Sequence, residues 1–100
     1  MPSILHFKPR TTAAARSVAD VLQTLRAGRL DCLLERDAVG DEPAIIGFGR
    51  SADILYLTVD SGIVREIEWS PDYRERNGRG DRIIMDLGRA GFDYQDDENS

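Results

Sequence analysis

The chain has 100 residues, of which 41% are apolar and 31% charged, and it carries a net charge of −5. That length suits one domain with a self-sufficient core, and that composition suits a soluble globular protein, not a disordered chain. One cysteine and one histidine exclude an intramolecular disulfide and supply too few donors for a structural zinc site.

No apolar run approaches the roughly 20 residues that a membrane helix needs, so no membrane partner is expected. The start, MPSILHFKPR, lacks the charged leader, apolar stretch and small-residue cleavage site of a secretion signal. With a single unpaired cysteine, this points to a cytoplasmic location.

In chain order, residues 1–10 read as a short strand (SILHF) or a loose arm, broken by Pro9. Residues 11–27 are the clearest helix. Ala14, Val18, Val21, Leu22 and Leu25 recur at helical spacing on one face. Thr11 or Thr12 suits its start, and Gly28 suits the left-handed position that closes a helix.

RLDCLLER (29–36) alternates Leu30, Cys32 and Leu34 against polar neighbours and reads as a strand. DAVGDEP is a loop, AIIGFG (44–49) a second strand and ILYLTV (54–59) a third. DSG (60–62) is a three-residue hairpin loop with Gly62 at positive φ. IVREIEW (63–69) alternates cleanly, with Ile63, Arg65, Ile67 and Trp69 on one face and Val64, Glu66 and Glu68 on the other.

SPDYRERNGRGD then loses all periodicity and reads as a loop. RIIMDLGRAGF (82–92) fits a helix better than a strand, because Gly88 and Gly91 suit a long strand poorly. On the helical reading Ile83, Ile84 and Leu87 share a stripe. Residues 93–100 form a polar acidic tail. The fold class is therefore α+β within a single domain, 1–100. A four-stranded antiparallel meander is covered by one N-terminal amphipathic helix, with a short C-terminal helix.

Charge is patterned along the chain. Lys8, Arg10, Arg16, Arg26 and Arg29 against Asp20 make residues 1–30 basic, whereas residues 31–73 hold ten acids against Arg36, Arg50 and Arg65. The acidic middle is the strongest functional signal, because complementary charge steers association with a basic surface.

No catalytic constellation assembles from the motifs. His6 has no nucleophile elbow to serve, and Cys32 alternates with leucines as a core residue would. Glu66 and Glu68 share a strand face and read as a solvent-facing pair. Asp72 follows Pro71 as in a PD…(D/E)-x-K nuclease pattern, but Lys8 is the only lysine. GFGRSAD lacks the third glycine and the lysine of a phosphate loop. The tail acids lack the spacing of a calcium loop. No enzyme activity, cofactor or metal is expected.

Two surfaces remain as binding candidates. One is acidic and apolar: Glu66, Glu68, Asp72 and Trp69, the last either closing the core edge or anchoring a partner. The other is the arginine loop, with Tyr73, Arg74, Arg76, Arg79 and Arg82. Those arginines could contact phosphates with Tyr73 stacking, but Glu75 and Asp81 interleave and the domain is acidic, so a solvated loop is the leading reading. The expected function is a small non-enzymatic protein-binding module of inhibitor, immunity or phage counter-defence type, whose partner is a protein with a basic surface. That comparison is compositional. The alternative is a nucleic-acid accessory domain using loop 73–82, and homodimerisation through a sheet edge is a further option.

Overall fold

The structure is a computed structural model and describes residues 4–11, 16–72 and 79–95. Among them the elements run β1 (Leu5–Pro9), α1 (Val18–Ala27), β2 (Cys32–Arg36), β3 (Ala44–Phe48), β4 (Ile54–Asp60), β5 (Ile63–Ser70), α2 (Arg79–Arg89) and β6 (Phe92–Gln95). The class is α+β with an antiparallel sheet, as the periodicity predicts. The sheet has six strands instead of four, in the order β2-β3-β4-β5-β1-β6.

The meander β2–β5 forms as expected, joined by short turns. The two additional strands come from the chain ends. β1 pairs along β5 (Leu5 with Trp69, Phe7 with Ile67), and β6 pairs along β1 (Phe7 with Tyr94, Pro9 with Phe92). The expected acidic tail thus begins as a strand, and the expected open edge at residues 63–69 is closed. Arg10 secures that closure. Its guanidinium forks onto the Asp93 carboxylate at 2.8–3.2 Å and also donates to the Gly88 carbonyl at 3.0 Å. The sheet edges are β2, which carries a bulge between Leu34 and Arg36, and the four-residue β6; both features discourage edge pairing.

One sheet face packs under both helices. Phe7, Ile46, Leu55, Leu57, Ile67 and Phe92 meet Val21 and Leu25 of α1 and Ile83 and Leu87 of α2 in one core. Burying each such side chain contributes about 1.5–3 kcal/mol relative to leaving it exposed. In α2 the inward stripe is Ile83, Leu87 and the following Ala90; Ile84 faces solvent, contrary to the expected stripe.

Three local features depart from the periodicity. First, α1 starts at Val18 with Ser17 as its cap, and not at residue 11 with a threonine cap. Ser17 and Asp20 form a reciprocal capping box at 3.1 Å in both directions. The Arg16 carbonyl just upstream accepts from the Val64 N–H at 2.8 Å, so this segment is tied to the sheet. Ala14 lies outside the described residues.

Second, the left-handed residue after α1 is Arg29 (φ 69°), not Gly28 (φ −79°). Gly28 lies directly beneath the Asp86 carboxylate, so a Cβ there would force that side chain to move.

Third, the β4–β5 turn is a two-residue loop, Ser61–Gly62, with both residues at positive φ. A bulge follows, since Thr58 pairs with Glu66 but Val59 pairs with Val64. The extra residue, Arg65, is exposed, and Val64 turns into the core. The expected faces of Val64 and Arg65 are therefore reversed.

Candidate functional site

Among the described residues no helix covers the other sheet face. Strand alternation decides what lies there, because each outward residue sits between two core residues. Ile45 lies between buried Ala44 and Ile46, Tyr56 between Leu55 and Leu57, Glu68 between Ile67 and Trp69, and His6 beside Phe7. Register aligns them in a single row across five strands: Ile45, Tyr56, Glu68, His6 and Gln95. The β2–β4 half of the face carries the apolar side chains Ile45, Tyr56 and Ile54, with Leu33 exposed at 55% beside Gly47, and the Glu35 carboxylate also lies over Gly47. The β5–β1 half is acidic.

His6 is held within that acidic half. Its Nδ1 lies 3.1 Å from Oε2 of Glu66 and 3.5 Å from Oε2 of Glu68. Glu68 is the cross-strand partner of His6, and Glu66 follows on the same face two residues earlier in β5. All three side chains are part-buried, at 28%, 30% and 37% exposure. Their donor atoms lie within 4.8 Å of one another, an arrangement able to hold a cation. Charge on the imidazole would be matched by two carboxylates.

The remaining predicted residues are dispersed. Trp69 points to the opposite face and is only 5% exposed. Its ring packs near Gly80 of α2, and its Nε1 donates to Oδ1 of Asp53 at 2.9 Å. Asp72 belongs to the same knot: its N–H donates to Asp53 Oδ1 at 2.9 Å, and its carboxylate accepts from the Ala52 N–H at 2.7 Å. Arg79 is the first residue of α2, and Arg82 lies one turn on, donating to the Gly28 carbonyl at the end of α1. The expected loop up to residue 81 is thus helical from Arg79. Tyr73, Arg74 and Arg76 lie outside the described residues.

Read along the chain, His6 is a strand-edge histidine with no catalytic role, and Asp53 is not singled out. The pairing of β1 with β5 joins residues about 60 apart, and nothing local announces it. Asp53 had a usable signal, the Ser-x-Asp spacing at a turn. The Ser51 hydroxyl donates to its carboxylate at 2.6 Å.

No protein-family model, curated protein or solved structure matches this chain. Among the described residues no helix is long and apolar enough to cross a membrane.

Proposed function

We propose that the chain is a non-enzymatic protein-binding module, of inhibitor, immunity or phage counter-defence type, that engages a basic protein surface through its open sheet face. The observation that carries this reading is the row Ile45–Tyr56–Glu68–His6, which sets an apolar strip against a carboxylate pair on a face that neither helix covers. An apolar patch with an aromatic residue and a charged border is the usual anatomy of a protein interface. The carboxylates Glu66 and Glu68 would speed encounter with a cationic partner and set its orientation.

The arginine alternative gains less support. Arg82 is engaged with the end of α1, and Arg79 opens a helix whose next charged residue is Asp81.

The test is affinity capture from the native host with the wild-type chain and with a Tyr56→Ala/Glu68→Lys variant. A stoichiometric basic protein captured by the first and lost by the second is the expected result, with an association rate that falls as salt rises. Equal capture by both proteins would overturn the reading. Recovery of nuclease-sensitive nucleic acid in place of a protein would move it to the arginine alternative.

A further inference from the structure

We infer that His6, Glu66 and Glu68 form a binding site for a divalent transition cation of the zinc type. The inference does not rest on any protein partner, and it revises the expectation that the chain holds no metal.

Distances carry the argument. A zinc ion bonded to nitrogen and oxygen donors at about 2.0–2.2 Å places neighbouring donors roughly 3.4 Å apart in a tetrahedral shell. The two carboxylate oxygens lie 3.1 and 3.5 Å from the imidazole Nδ1, near that spacing. In the metal-free chain Nδ1–H is the donor to Glu66, and an ion would replace that proton, leaving the ring N–H on Nε2 and the Nδ1 lone pair free to join both carboxylates on one ion.

The backbone preorganises the set. His6 and Glu68 are directly opposed across the β1–β5 ladder, and Glu66 shares their face on the same strand. Both strands are interior to the sheet, flanked by β4 and β6, so the ligands stand on a rigid platform.

The donor set selects the class of ion. Imidazole favours zinc and its neighbours over magnesium and calcium, which take oxygen donors. Three protein ligands leave a fourth position to water or to a donor from outside the chain. Side-chain exposures of 28–37% leave the three ligands within reach of an ion from solvent.

The experiment is a calorimetric titration of the full, EDTA-treated chain with zinc chloride, followed by cobalt(II) absorption spectroscopy and amide NMR. Saturation at one equivalent is expected. Intense visible cobalt bands should mark a four- or five-coordinate site, and amide shifts should centre on residues 6, 66 and 68. His6→Ala and Glu66→Gln should each weaken zinc binding by at least the roughly tenfold that changes outside a ligand shell already cost. Glu35→Gln, which alters an exposed carboxylate over Gly47 on the same face, should leave it unchanged. Should His6→Ala fail to fold by circular dichroism, the near-isosteric Glu66→Gln and Glu68→Gln decide. The inference is overturned if zinc shows no saturable binding, if the folded ligand variants bind as tightly as wild type, or if magnesium binds as well as zinc.

Discussion

The indole Nε1 of Trp69 donates to Oδ1 of Asp53 at 2.9 Å, joining the end of β5 to the turn before β4. Asp53 is buried. It also accepts from the Asp72 N–H and the Ser51 hydroxyl, so a single carboxylate gathers three donors from three positions along the chain.

Removing that acceptor strands buried donors. Asp53→Ala is expected to cost about 2–3 kcal/mol, and Asp53→Asn, which keeps one carbonyl oxygen, about 1 kcal/mol. Urea unfolding followed by circular dichroism measures both. The fluorescence of Trp69, the sole tryptophan, should change at the same midpoint. An Asp53→Ala protein as stable as wild type would show that the knot is ornamental.

The bulge at Arg65 makes a prediction that alternation alone would reverse. Val64→Ala should cost about 2 kcal/mol through lost burial and the cavity left behind. Arg65→Ala should stay within about 0.5 kcal/mol, as at an ordinary surface position. The opposite order in urea midpoints would mean that β5 runs without its bulge.

Gly28 and Asp86 should be energetically coupled. A Cβ at residue 28 would run into the Asp86 carboxylate, although the backbone of Gly28 suits any residue. Gly28→Ala is expected to cost about 1–3 kcal/mol by overpacking. In an Asp86→Ala background that cost should largely disappear. A double-mutant cycle on unfolding free energies gives the interaction directly, and strict additivity would contradict the close approach.

Acid sensitivity should depend on two exposed carboxylates. The Ser17 backbone N–H, aided by the Ser17 side chain, holds Asp20 below its ordinary value of 3.8, and the hydrogen bond from Arg10 does the same for Asp93. Because the folded state favours the ionised form, the unfolded chain binds more protons and stability rises with pH. Both contributions are complete above 3.8 and are lost as pH falls through the lower folded values. Asp20→Asn and Asp93→Asn should therefore flatten the fall in urea midpoint below about pH 4, while changing its slope little near pH 7. An unchanged acid limb in the double variant would count against both contacts.

Burial raises the Cys32 thiol above its ordinary 9.0, against an opposing pull from Arg26. The reactive thiolate is therefore scarce as well as covered. A disulfide reagent such as Ellman's should label the native protein slowly at pH 8 and label one thiol at once in denaturant. Rapid native labelling would place Cys32 outside the core.

Much of the fold is legible in the pattern of residues. The β-branched run at 54–59 and the alternation at 63–69 match β4 and β5, and the apolar spacing around Ile83 and Leu87 matches α2. These segments declare themselves because their neighbours in space are also near in sequence. The candidate site is only half legible. Glu66 and Glu68 can be assigned a shared outward face, but their companion His6 reaches them by a pairing that spans the whole meander.

Which side chains are apolar, at what period they recur and where turns interrupt them can all be read along the chain. Those properties are local, and they suffice for the helices and the meander. Tertiary structure decided what became of the chain ends. Residues 5–9 and 92–95 are short and polar in part. They complete the sheet because β5 offers an unpaired row of backbone donors and acceptors to β1, and β1 offers its other edge to β6, beside a core that still needs Phe7 and Phe92. The same closure carried an isolated histidine to a pair of glutamates, a meeting that no local spacing encodes.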